Sequence, residues 1–71
     1  MNIRQLQHFL ALMDSGSLSA AAEAVHLSQP ALSRSIKALE DAMGQRLLVR
    51  GKRVHATPAG QALLGHVKQV R

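Results

Sequence analysis

The sequence contains no cysteine, no tryptophan and no tyrosine, and it has only four acidic residues against nine Lys and Arg. Without cysteine no disulfide can staple the fold, which fits a reducing cytoplasm. His8, His26, His55 and His66 are too widely separated for the usual zinc-ligand spacings, so four surface or half-buried histidines are expected and no metal site. No apolar run approaches the roughly 18 residues that a membrane span needs. Met1 is followed by polar residues, not by a basic stretch and an apolar run, so no signal peptide is expected either. The apparatus of catalysis is also missing. There is no cysteine nucleophile and no glycine-rich phosphate loop, and Glu40-Asp41 are neighbours on a helix surface, not a convergent pair of acids. A chain of 71 residues leaves little volume for a pocket. The sequence therefore argues against an enzyme and for one small, cytoplasmic module that needs no cofactor.

What is present is positive charge, unevenly placed. Residues 1–28 carry one basic side chain against two acidic ones, a net −1, whereas residues 29–71 carry eight against two, a net +6. Such asymmetry points to a polyanionic partner, most often nucleic acid and sometimes an anionic membrane surface.

The apolar residues are arranged for helices. Leu6, Phe9, Leu10 and Met13 recur at i, i+3, i+4 and i+7, which predicts a first helix over about residues 3–15, stopped by Gly16. Ser17 is placed to cap a second, alanine-rich helix whose Ala21, Ala22 and Val25 face would admit a close neighbour. After the brief His26-Leu27 turn, Ser28 caps a third helix with Pro30 in its first turn, where a missing N–H costs little. Leu32, Ile36, Leu39 and Met43 form its buried stripe, and Gly44 ends it. Met13 and Met43 are expected to fill the core.

Beyond Gly44 the pattern changes to two short β-prone pieces, Leu47–Arg50 and Arg53–Ala56, around a Gly-Lys turn. Thr57 then caps a fourth helix with Pro58 at its first position. There Ala59, Leu63, Val67 and Val70 keep helical spacing, with Leu64 beside them.

Three helices in close succession followed by a hairpin describe a winged helix-turn-helix, a mainly α fold. The third helix, about residues 28–43, packs its leucine side inward. Its other side presents Gln29, Pro30, Ser33, Arg34 and Lys37, the kind of face a DNA major groove accepts. The helix start adds outward amides that favour a phosphate. Arg50, Lys52 and Arg53 place three cations in four positions at the wing. Each feature has a plainer explanation: Gln29 and Ser33 as solvated positions, Lys37 as an i, i+4 partner of Asp41, the wing cations as a solvated loop, Ser17, Ser28 and Thr57 as caps. In combination they favour DNA. The competing reading is a winged helix used for protein interaction or dimerisation, its basic surface incidental.

These residues also carry a resemblance. "GSLSAAAEAVHLSQPALSRSIKALEDAMGQRLL", followed by "ATPAG", resembles the DNA-binding domain of the LysR-type transcriptional regulators over practically the whole chain. The resemblance implies a winged helix-turn-helix over residues 1–57 that reads double-stranded DNA, and residues 58–71 as the start of a linker helix that pairs two copies. It places contacts at Gln29, Pro30, Ser33 and Arg34, with a wing cation near Arg53. Two departures stand out: Leu47-Leu48 replaces the family's usual Leu-Phe, and the wing is about one residue shorter, so Lys52 and Arg53 both remain candidates for the minor groove. A homodimer through Leu63, Leu64, Val67 and Val70 would match an inverted-repeat operator. The family further implies tetramers and a C-terminal domain that binds a small inducer.

Overall fold

The computed structural model describes residues 2–49 and 54–70, the side chains of 67–70 excepted. In chain order it comprises α1 (Ile3–Ser15), α2 (Leu18–Ala24), α3 (Gln29–Met43), β1 (Leu48–Val49), β2 (His55–Ala56) and α4 (Pro58–Val70).

Each helix begins on a side chain that satisfies an otherwise orphaned amide. Asn2 starts α1 with a reciprocal capping box: its Oδ1 accepts from Gln5 N at 2.8 Å, and Gln5 Oε1 accepts from Asn2 N at 3.2 Å. Ser17 and Ser28 cap α2 and α3, accepting from Ala20 N and Ala31 N, both at 3.2 Å. Thr57 Oγ1 accepts from Gly60 N at 3.1 Å at the head of α4. Gly16 and Gly44 close α1 and α3 in the left-handed region, with φ of 77° and 71°, a conformation glycine adopts without steric cost. Between α2 and α3 the chain turns on His26, whose φ is 59°. The turn is tied by Leu27 N donating to Ala22 O at 2.9 Å.

The core is formed by Phe9 and Leu12 of α1, Ala21 and Ala22 of α2, Leu32, Ile36 and Leu39 of α3, and Leu47 and Leu48. α1 packs against both α2 and α3, and α2 against α3. The fully buried Phe, Leu and Ile side chains contribute about 1.5–3 kcal/mol each. Ala21 has no exposed surface, and its small side chain permits the close approach of the helices that the sequence predicts.

Three expectations are corrected. Leu12 lies at the centre of the α1 contact, whereas Leu10 is only half-buried. Met43 is exposed rather than core filler, because it sits in the last turn of α3, beyond the end of the core. The strands are shorter than the sequence suggests, and β1 pairs antiparallel with β2 through Leu48↔Ala56 and Val49↔His55. Leu47 stands opposite Thr57 at the foot of the ladder and makes only half of that pairing, because its amide is taken by another element. Its N–H donates to Glu40 Oε2 at 2.7 Å, and its carbonyl accepts from Thr57 N at 3.0 Å. The hairpin tip, with Arg50, Lys52 and Arg53, lies outside the described residues.

Candidate nucleic-acid interface

Helix α3 has two faces of opposite character. Leu32, Ile36 and Leu39 are at most 1% exposed. On the other side Gln29, Pro30, Arg34 and Lys37 are exposed and Ser33 is half-buried. The structure thus brings five of the sequence-predicted contact residues onto one surface. Leu18, at the start of α2, joins Gln29, Pro30 and Ser33 around a shallow cleft, so the second helix contributes an apolar edge to this surface. The exposed Arg46 adds a further cation beyond the end of α3.

The start of α3 is less open to a phosphate than its sequence suggests. Pro30 has no N–H, the Ala31 amide is taken by the Ser28 hydroxyl, and the Leu32 amide by the Ser28 carbonyl at 3.0 Å. Among the described residues this leaves the Gln29 amide as the first-turn donor. The exposed Arg34 and Lys37 side chains add fixed positive charge to the attraction of this face for an anion.

Two contacts fix the attitude of α3. His8 Nδ1 on α1 lies 2.6 Å from Ser35 Oγ on α3. Burial of the ring, and secondarily the Arg4 guanidinium, hold the His8 pKa below the ordinary histidine value. A neutral imidazole that accepts from the Ser35 hydroxyl fits this environment. Nearer the C-terminal end of α3, Glu40 Oε2 accepts from the amides of Leu47, at 2.7 Å, and Leu48, at 3.2 Å. Glu40 Oε2 is therefore engaged with the backbone that leads into β1. Neither contact was legible in the sequence, since each joins residues that no local spacing relates.

On α4, Leu63 and Leu64 are half-buried against the core of their own chain. The side chains of Val67 and Val70 lie outside the described residues. Among the described residues no cluster of His, Asp or Glu is arranged to hold a metal ion, and no helix is long and apolar enough to cross a membrane.

Residues 3–61 match the model of a family described as bacterial regulatory helix-turn-helix protein, lysR family. The chain belongs to this family. The SDS degradation transcriptional activation protein of Pseudomonas sp. (strain ATCC 19151) is 54% identical over 70 residues, covering 97% of this chain and 23% of that protein. The nitrogen assimilation regulatory protein nac of Klebsiella aerogenes is 46% identical over 71 residues, covering 99% of this chain and 23% of that protein. Among solved structures, the complex of the CbnR DNA-binding domain with DNA matches with a TM-score of 0.90 at 39% identity, covering 99% of this chain and 82% of that one. The complex of the BenM DNA-binding domain with the catB site 1 DNA matches with a TM-score of 0.82 at 37% identity, covering 99% and 88%. The architecture is thus the winged helix-turn-helix of LysR-type DNA-binding domains, and the curated relatives are transcriptional regulators, not enzymes. The chain spans about a quarter of the length of those relatives, 23% in each case.

Proposed function

We propose that this chain binds double-stranded DNA sequence-specifically, with α3 in the major groove of a LysR-type operator half-site. The observation that carries the reading is the division of α3: an apolar side held in the core and an opposite side bearing Gln29, Pro30, Ser33, Arg34 and Lys37. In this reading Arg34 pairs with a guanine edge and Gln29 with an adenine. Ser33 supplies a shorter polar contact, Pro30 gives apolar contact, and Lys37 meets phosphate. Arg50, Lys52 and Arg53 serve the minor groove or the backbone from the wing.

α4 pairs two copies, with Leu63, Leu64, Val67 and Val70 as the apolar residues available to the contact. Two copies set their recognition helices about one helical turn apart, which suits an inverted repeat. A longer regulator would assemble further into tetramers, act in the cytoplasm, and take its small-molecule inducer in a separate domain. The DNA-binding unit itself requires no cofactor.

Gel retardation with a pool of random-sequence duplexes tests the reading. Retarded duplexes should converge on one inverted repeat, and affinity should fall steeply as salt rises, because each neutralised phosphate releases counterions. A failure to retard any duplex at low salt would favour the protein-interaction module instead.

A further inference from the structure

We propose that Glu40 is a positioning residue that couples the recognition helix to the wing and to α4 through the backbone of Leu47. The inference rests on the DNA-binding reading above and adds a role for a residue that faces no DNA in it. Glu40 lies one turn from the end of α3 and is half-buried. One carboxylate oxygen, Oε2, accepts from two successive amides, Leu47 N at 2.7 Å and Leu48 N at 3.2 Å. Leu48 opens β1, the first strand of the wing hairpin.

The same short segment is held from the opposite side. Thr57 N donates to Leu47 O at 3.0 Å, and Thr57 Oγ1 donates to Arg46 O at 2.6 Å while accepting from Gly60 N at the head of α4. Leu47 is thus fixed at its amide by the recognition helix, at its carbonyl by Thr57, which stands across the hairpin and caps α4, and at its side chain by the core, where it has no exposed surface. A two-stranded hairpin is at best marginally stable by itself in water, so the two hydrogen bonds from the amides at the foot of β1 to Glu40 add to what holds it in place. Glu40 therefore sets where the wing stands relative to the α3 face that reads the groove.

Charge alone cannot mimic this role, and that makes it testable. Glu40→Ala and Glu40→Gln remove the same negative charge, so any general gain in attraction to DNA is common to both. Only glutamine keeps an acceptor at the same reach, and its Oε1 can receive both amides.

The test uses the full chain and a duplex recovered with the wild type from a random-sequence pool, probed by hydroxyl-radical footprinting and by titration. Glu40→Gln should keep the wild-type footprint. Glu40→Ala should lose the flanking protections made by the wing, keep the central major-groove protections, and bind about tenfold more weakly than Glu40→Gln, a difference of about 1.4 kcal/mol. A uniform loss of occupancy with an unchanged footprint pattern, or equal affinity for the two variants, would overturn the proposal. Amide hydrogen exchange without DNA supplies a second readout. In Glu40→Ala, Leu47, Leu48 and the hairpin should exchange faster while the amides of α1 and the middle of α3 keep their protection; unchanged exchange at Leu47 and Leu48 would overturn it even if the chain bound no duplex. Should Glu40→Ala not fold, Glu40→Asp, which keeps the charge on a shorter arm, must show the same loss of wing protections or the same faster exchange.

Discussion

The carbonyl oxygen of Leu47 occupies the space that a side chain at Gly60 would need. A Cβ there would clash with that oxygen and stand 3.1 Å from the Ala56 Cβ. Gly65, five residues further along α4, has nothing within 4 Å of the corresponding point. Alanine in place of glycine inside a helix gains up to about 1 kcal/mol, but overpacking costs typically about 1–3 kcal/mol. Gly60→Ala should therefore lower the thermal midpoint, and Gly65→Ala should leave it unchanged or raise it by a few degrees. Paired calorimetric melts check the contrast, and equal shifts would contradict it.

The Ser28 cap can be tested apart from DNA. Its hydroxyl satisfies the Ala31 amide, and its removal should cost about 1 kcal/mol as alanine and only a few tenths as glycine. Urea denaturation should show the midpoint falling in that order at constant slope. A midpoint for Ser28→Ala equal to the wild type would show that the cap contributes nothing.

His8 gives the stability a dependence on pH of known sign. Its folded-state pKa lies below the ordinary value, so the unfolded chain takes up this proton first as pH falls. The contribution is complete above the unfolded value of about 6.5. It is lost as pH falls from there through the folded-state pKa, below which both states carry the proton. His8→Gln should flatten the decline in stability across that interval, measured by urea midpoints at a series of pH values. An unaltered slope would place the pH dependence elsewhere.

Dimerisation through α4 predicts that Val67→Asp with Val70→Asp yields a chain that sediments as a monomer and loses affinity for the inverted repeat. Leu63 and Leu64 are poorer probes, because both pack against the core of their own chain and their replacement would also destabilise the monomer. An unchanged dimer would contradict the assignment.

Local signals foretold most of the architecture. Ser17, Ser28 and Thr57 announced helix starts, and Gly16 and Gly44 announced stops, because capping depends on residues within one turn. The centre of the α1 stripe did not follow in the same way. α1 packs against two helices, so its apolar arc is broad, and spacing alone did not distinguish Leu12 from Leu10. In α3 the periodicity ran on to Met43, past the point where neighbours remain to cover it. The hairpin was foretold too long because its first residue, Leu47, keeps its carbonyl bond to Thr57 across the hairpin but gives its amide to Glu40, a bond that crosses from one element to another. Gln29, Pro30, Ser33, Arg34 and Lys37 were legible as a face because they share one helix. His8 with Ser35, and Glu40 with Leu47, were not, since only the folded chain brings them together.

The outward face of α3 as a reader of sequence is tested most directly at Arg34, by measuring the affinity of Arg34→Ala for the selected inverted repeat and for a scrambled duplex of equal length. The account predicts a loss of about 1–3 kcal/mol on the inverted repeat, a much smaller loss on the scrambled duplex, and relaxed preference at one base pair of each half-site. Affinity and preference equal to the wild type would contradict it.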